Sequence, residues 1–338
     1  MLSTASPSNY PSGIICSSMI LCPNAKINLG LEVVRRRADG YHDIETLFVP
    51  VPSLRDVLEV VKAEEPGLKV YGLTCDVPAE KNLCFKAFRL IRERYGIGGV
   101  NIFLYKNIPM GAGLGGGSSD AAFTLVALNE VFELGLPEDE LAAMAAELGS
   151  DCPFFIYNRP MFASGRGEIL TPYPLNLNGY HIEVVTPGIH ISTAEAYKGV
   201  DAVKGLDVTA SCDMAQEKHV DTTKSMSFRT RKAIGEISQP GAHSEEQVCG
   251  PEISLRFIEA KQSLLAASAG QTDSSVPLQD KLNLGINKWR DTLVNDFEAY
   301  AFAKYPILAE IKKSLYDRGA VYASMTGSGS AIYGIFPK

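Results

Sequence analysis

A chain of 338 residues, 46 % hydrophobic and 21 % charged, carries enough apolar material for two domains around proper cores and excludes a fibrous or membrane-spanning protein. Its formal charge of −7 and isoelectric point near 5.4 argue against a general nucleic-acid or membrane surface, since those partners ask for basic faces. A polyanionic small molecule must therefore be held by local basic groups.

The seven cysteines, at positions 16, 22, 75, 84, 152, 212 and 249, are odd in number and form no C-x-x-C pair. Neither a disulfide framework nor a zinc site is indicated, and a reducing cytoplasm fits. Residues 1–18 are rich in Ser and Pro and read as a loose tail. The first 22 residues carry no charged side chain, which denies them the basic region of a secretory signal or a transit peptide. Met19 stands directly before the first convincing strand, so a start at that position is an alternative.

After Pro23, alternation places Lys26, Asn28 and Gly30 on one strand face and Ile27, Leu29 and Leu31 on the core face. Asp39-Gly40 marks a tight turn between strands Leu29–Val34 and Ile44–Val49, so the hairpin tip gathers Arg35, Arg36, Arg37, Tyr41 and His42. At least two of those arginines read as solubilising surface. Strand and loop follow over 54–70. Asn82–Tyr95 has helical spacing and ends at Gly96, and Val100–Lys106 is a strand that delivers the chain into a glycine-rich stretch.

That stretch, Ile108 to Asp120, holds Gly111, Gly113, Gly115, Gly116 and Gly117, then Ser118, Ser119 and Asp120, which are helix-capping residue types. A helix face follows through Leu125, Leu128 and Phe132. A glycine nest at a helix start binds anions, above all phosphate. The Walker A pattern fails because Gly117 stands where it needs Lys. The dinucleotide fingerprint is matched by Gly111, Gly113 and Gly116, but its acidic residue about twenty positions on is missing from the end of a second strand.

Leu136–Leu148 is a second helix, with Pro137 and acids in its first turn and Gly149 as its stop. Asp151, two residues before Pro153, reads on its own as a helix cap. A strand at Tyr180–Thr186 is followed by a turn at Pro187-Gly188. From 200 to about 275 the chain is rich in Ser, Thr, Gln, Lys and Glu and reads as an inserted or poorly ordered segment, with a short helix around 255–265. Helical spacing resumes with Ile286, Trp289, Leu293 and Phe297, and the chain closes with a strand, the glycine turn Thr326–Gly329 and a last strand. No internal repeat is visible.

Pro23-Asn24-Ala25-Lys26-Ile27-Asn28-Leu29, Asp39-Gly40-Tyr41-His42, the loop Pro109–Ser119, Gly149-Ser150-Asp151-Cys152-Pro153-Phe154 and Thr326-Gly327-Ser328-Gly329 together resemble the GHMP small-molecule kinases. Within that superfamily they resemble the branch that phosphorylates a cytidine-diphosphate polyol on the non-mevalonate route to isoprenoids. The resemblance covers roughly residues 19–200 and 280–338. It implies an α+β fold of two domains, a ribosomal-protein-S5-like N-terminal domain over 19–162 and a ferredoxin-like C-terminal domain over 163–338 that carries the insert, with the site in the cleft between them. It implies ATP and Mg²⁺ as cofactors and the polyol's 2-hydroxyl as acceptor, with no nucleic acid or membrane partner.

By the same resemblance Asp151 is the base and Lys26 the cation that keeps it ionised. Lys106, Pro109, Gly111, Gly113, Leu114, Gly115, Gly116, Gly117, Ser118 and Ser119 hold the nucleotide. Asn28, Gly327, Ser328 and Gly329 meet the acceptor, and Tyr41, His42, Thr193 and Tyr197 form the cytidine site, where two rings could sandwich the pyrimidine. One carboxylate, one ammonium, a phosphate cradle and Mg²⁺ are sufficient parts for phosphoryl transfer. A homoserine- or mevalonate-type kinase is disfavoured by Asp39–His42. A non-catalytic nucleotide-binding protein would lack Lys26 or Asp151.

Overall fold

The computed structural model describes residues 17–73, 78–206 and 276–338. Pro23 has no amide hydrogen to offer a ladder, and there the expected single strand from Met19 to Leu31 divides. β1 (Ser18–Leu21) joins one sheet and β2 (Asn24–Arg36) another. Ser18 is already paired with Val61, so the tail ends before it; residues 1–16 lie outside the described residues. β2 runs antiparallel to β3 (His42–Arg55) through the Asp39-Gly40 turn, where Gly40 takes φ +83° and the Asp39 carboxylate accepts from the Tyr41 amide.

β4 (Val57–Ala63), β5 (Gly67–Gly72) and β6 (Gly99–Lys106) complete the first sheet in the order β1-β4-β6-β5. β7 (Met161–Ser164) and β8 (Ile169–Pro172) extend the second sheet to β2-β3-β7-β8, so the domain boundary expected at 162/163 falls inside a strand. β9 (Tyr180–Val185), β10 (Tyr322–Met325) and β11 (Ile332–Pro337) form a third, antiparallel sheet in the order β10-β11-β9.

The helices between them start where local chemistry allows. α1 (Leu83–Tyr95) is capped by the Asn82 side chain, which accepts from the Cys84 amide, and stops at left-handed Gly96. α2 (Gly116–Val131) starts earlier than expected: its cap is left-handed Gly115, and Ser118, Ser119 and Asp120 sit within the first turns with no capping bond from Gly115. α3 (Glu138–Leu148) and the short α4 (Cys152–Tyr157) follow. α1, α2, α3 and α4 bury Phe88, Ile91, Leu125, Leu128, Met144, Phe154 and Phe155 against the first sheet, each side chain stabilising the fold by roughly 1.5–3 kcal/mol.

α5 (Thr193–Lys204) carries the chain through 200–204, residues expected to lie in the polar insert. Val200 and Asp201 are buried because they form the inner face of that helix. The rest of the insert, 207–275, and its short helix lie outside the described residues. α6 (Leu278–Asn283) and α7 (Ile286–Thr292) come next, and α8 (Phe297–Lys304) and α9 (Pro306–Asp317) pack on the third sheet.

The continuous helix expected over 286–297 is broken at Leu293, which is extended at φ −92°, ψ 132°. The break lets 293–296 bond to β2: the Leu31 amide donates to the Val294 carbonyl, and the Asp296 amide to the Leu31 carbonyl. The Asn295 side chain donates to the carbonyls of Met325 (2.8 Å) and Gly327 (2.9 Å). Tertiary hydrogen bonds override helical spacing here. No described helix is long and apolar enough to cross a membrane.

Candidate functional site

The glycine loop is held on both sides by backbone. The Lys26 amide of β2 donates to the Leu114 carbonyl at 2.9 Å, and the Ala331 amide, just before β11, donates to the Ala112 carbonyl at 3.1 Å. Gly111, Gly113 and Gly115 take φ of +67°, +80° and +71°, the left-handed region that an L side chain disfavours by roughly 1–2 kcal/mol. A Cβ on Gly113 would lie 2.1 Å from the Thr326 carbonyl oxygen, so this glycine is required for close backbone approach. A Cβ on Gly115 would meet Phe155 and Lys26, and one on Gly116 would meet Ile108 and Lys106. Gly117 has more room, its nearest neighbour being Leu83 at 3.9 Å.

Lys26 and Asp151 meet in front of this loop. Lys26 Nζ lies 3.6 Å from Asp151 Oδ2, donates to Asn28 Oδ1 at 2.6 Å, and stands 4.8 Å over the Phe48 ring. The lysine is 4 % exposed, so the face expected to be the solvated side of β2 is enclosed. Burial lowers the Lys26 pKa below its ordinary value, and the Asp151 charge pulls it partly back. Asp151 stands at the N-cap position of α4 but makes no capping bond, and its side chain is 36 % exposed toward the cleft. The Asn28 side chain is also bonded within the protein. Oδ1 accepts from Lys26 and lies 3.2 Å from Thr326 Oγ1, and Nδ2 donates to Thr46 Oγ1, so the side chain's first task is orienting Lys26.

Lys106 is enclosed beside the loop. Its ammonium is buried between Asp56 and Asp120, 2.6 Å from Asp120 Oδ2, and does not line the cleft. Burial opposes its charge, but the two carboxylates outweigh it and raise its pKa. Burial pushes Asp120 up to about 7 against the pull of Lys106. The group ties β6 and the 56–57 corner to the first turn of α2; Asp56 also accepts from the amides of Asn107 and Ile108 (2.7 Å).

The loop and the pair open onto one cleft of about 850 Å³. Of the expected residues, Lys26, Asn28, Tyr41, His42, Gly111, Gly113, Gly115, Asp151, Thr193, Tyr197, Gly327 and Ser328 line it. Pro109, Leu114, Gly116, Gly117, Ser118, Ser119 and Gly329 do not. Lys26, Arg36, Arg166 and Lys198 face two carboxylates, Asp151 and Asp201, so this acidic chain concentrates positive charge in the cleft. At its far end Tyr41 is exposed beneath the Arg166 guanidinium (5.1 Å), and His42 stacks on Tyr197 with centroids 4.4 Å apart and planes at 15°. Those two rings fill each other's faces, so no base fits between them. Thr193 Oγ1 lies 3.5 Å from Ser328 Oγ.

The N-terminal domain of the GHMP kinases matches residues 82–159 and their C-terminal domain matches residues 281–338. The 4-diphosphocytidyl-2-C-methyl-D-erythritol kinase of Azobacteroides pseudotrichonymphae genomovar. CFP2 is 40 % identical over 95 % of this chain and 94 % of its own length. The enzyme of the same name from Porphyromonas gingivalis is 40 % identical over 94 % of this chain and 92 % of its own. The chain belongs to the 4-diphosphocytidyl-2-C-methyl-D-erythritol kinase family. A crystal structure of a 4-(cytidine 5'-diphospho)-2C-methyl-D-erythritol kinase superposes with TM-score 0.62 and 30 % identity, covering 94 % of this chain and 89 % of the other. Mevalonate kinase from Methanococcus jannaschii shares the fold alone, with TM-score 0.58 at 15 % identity over 96 % and 92 % of the two chains.

As a 4-diphosphocytidyl-2-C-methyl-D-erythritol kinase family member, the chain has the α+β GHMP kinase fold and is a kinase with ATP as co-substrate. Beyond the motifs that it shares with the superfamily, its cleft includes Arg36, Arg166, His190, Lys198, Asp201 and Phe297. Sequence reasoning missed them. Arg36 was placed at the hairpin tip in a triplet of which at least two members read as surface, and its guanidinium lies 3.6 Å from Asp201. Asp201 stands one residue beyond the composition shift, and its buried neighbours at helical spacing, Ala196 and Val200, were the available signal.

Proposed function

We propose that this protein uses ATP to phosphorylate the 2-hydroxyl of 4-diphosphocytidyl-2-C-methyl-D-erythritol, with Asp151 as proton acceptor. The observation that carries the reading is the Lys26–Asp151 pair, 3.6 Å apart, facing the glycine loop within one cleft. Asp151 takes the hydroxyl proton as the oxygen attacks the terminal phosphorus, and the bond from that phosphorus to the departing diphosphate breaks. Lys26, anchored by Asn28, stands beside the carboxylate and offsets charge as the phosphoryl group passes. Phosphates lie on the loop amides and the N-terminus of α2, where the helix dipole favours anions.

Magnesium fits this site as an ion that arrives with the nucleotide. The Asp151 carboxylate, part-exposed toward the cleft beside the loop, can take one coordination position of an ion otherwise bound by phosphates and water. Asp151 is the carboxylate at the loop, and the bound ion would supply charge neutralisation at the phosphates.

Arg36, Arg166 and Lys198 provide the basic groups that the diphosphate of the acceptor needs, and Tyr41 offers an exposed ring to the pyrimidine. The described cysteines, Cys22, Cys84 and Cys152, are free thiols, in keeping with a cytoplasmic enzyme. The test offers ATP with the cytidine-diphosphate polyol, homoserine and mevalonate in parallel and detects phosphorylated product by mass spectrometry. Product from the polyol alone is expected; product only from another acceptor overturns the reading.

A further inference from the structure

Asp201 is buried, lies 159 positions from His42 in sequence, and binds its ring at 2.6 Å through Nε2. We propose that Asp201 sets base specificity by fixing His42 as the tautomer with an unprotonated Nδ1, which accepts from the exocyclic amine of cytosine and has nothing to donate to uracil. The inference rests on the kinase reading above and adds a positioning residue to it.

The His42 ring is clamped on two sides. His42 opens β3 and is 7 % exposed. One edge meets Asp201, and one face meets Tyr197, which is itself held edge-on by Phe297 with centroids 4.9 Å apart. Such a ring has little freedom to turn over. An ionised carboxylate only accepts hydrogen bonds, so Nε2 must be the protonated nitrogen, and a singly protonated imidazole then carries its lone pair on Nδ1. Nδ1 has no hydrogen-bond partner among the described residues, and His42 lines the cleft.

The second contact of Asp201 completes the device. Arg36 approaches Oδ2 at 3.6 Å, so the carboxylate's charge is answered by a permanent cation. The two pyrimidines differ at the atom that such a ring reads: cytosine presents an N4 amine donor where uracil presents an O4 acceptor. An acceptor facing O4 leaves both groups unpaired, and a site built to hydrogen-bond one group discriminates strongly against an analogue that cannot. Tyr41 contributes affinity without choosing the base, because every base has a π-face.

The experiment uses the full-length enzyme and two readouts. Selective ¹⁵N-histidine labelling of the parent, with His42 assigned by the signal lost in His42→Gln, is expected to show the Nε2–H tautomer; an Nδ1–H tautomer overturns the proposal even if no Asp201 variant folds. Steady-state kinetics then compare cytidine- and uridine-diphosphate polyols. In Asp201→Ala the cytidine-to-uridine ratio of kcat/KM should fall at least tenfold, with the loss for the cytidine compound in KM and not in kcat. Asp201→Asn, whose carbonyl still accepts from Nε2, should retain more of the ratio. An unchanged ratio in Asp201→Ala assigns Asp201 a merely structural tie between β3 and α5 and overturns the proposal. A parent enzyme that phosphorylates neither nucleotide compound but accepts homoserine or mevalonate instead refutes the kinase reading itself.

Discussion

Replacing Asp151 by Asn keeps the shape of the side chain and removes its charge, and the structure gives two separate consequences. The kinetic one follows from its position as the carboxylate beside Lys26 in front of the loop. Loss of a positioned proton acceptor lowers kcat by roughly 10²–10⁴, equivalent to about 3–5.5 kcal/mol of barrier, with ATP affinity little changed. The thermodynamic one falls on Lys26. Breaking a fully buried ion pair costs about 3–5 kcal/mol, but Asp151 is 36 % exposed and its partner charge keeps the Asn28 bond, so about 1 kcal/mol is expected. The sign of the pH dependence is fixed. A buried lysine with a lowered pKa binds fewer protons folded than unfolded, so it makes stability rise with pH between its folded and unfolded values. Without Asp151 the folded value drops further and this rise begins at lower pH than in the parent. Steady-state turnover, calorimetric ATP binding and melting curves from pH 7 to 10 measure all three. Asn is also a good helix cap, so a variant with kcat within threefold of the parent would mean that Asp151 only starts α4, and the catalytic assignment would fail.

Gly113→Ala places a methyl 2.1 Å from the Thr326 carbonyl at positive φ and should destabilise by about 2–5 kcal/mol in urea unfolding, whereas Gly135→Ala, also at positive φ but with nothing within 4 Å, should cost only about 1–2 kcal/mol; equal losses would refute the packing argument. Asp120, held at about 7 when folded and near 3.8 when unfolded, binds more protons in the folded state between those values, so parent stability should fall as pH rises from 5 to 8 relative to Asp120→Asn. Parallel melting curves for the two proteins would remove Asp120 from the account. Tyr41→Ala should raise KM for the cytidine-diphosphate polyol roughly 5- to 150-fold, the range for losing one stacked base, while cytidine stays preferred over uridine. An unchanged KM would place the base elsewhere in the cleft.

The parts of the site that depend on local chain chemistry were legible in the sequence. Asp39-Gly40 announced the hairpin that carries Tyr41 and His42, and glycine density announced a loop of left-handed residues at a helix start. Contacts between distant segments were not legible. Lys106 beside the loop gave no sign that Asp56 and Asp120 enclose it, because an ammonium on a strand has the same spelling whether it faces phosphate or carboxylate. The helix expected through Leu293 failed for a similar reason: Leu31 takes the carbonyl of Val294 and the amide of Asp296, and the Asn295 side chain is tied to Met325, through bonds that periodicity does not contain. Asp201 was hidden by composition, since the buried face of α5 runs past the point where the chain turns polar.

The stitching of the glycine loop fixes when, along the chain, the enzyme becomes competent. Thr326 Oγ1 accepts from the Asn28 amide across 298 positions, the Tyr333 hydroxyl donates to the Asn28 carbonyl across 305, and the Ala331 amide fastens Ala112. A polypeptide emerging from the ribosome can form the β2–β3 hairpin and α2 early, since their contacts are local. The glycine loop acquires its second wall only once residues 326–331 have been made. Contacts of such separation form slowly, because the intervening segment must be closed before they stabilise anything. A nascent chain stalled before residue 326 would therefore hold Lys26, the glycines and Asp151 without the wall that Thr326 and Ala331 supply.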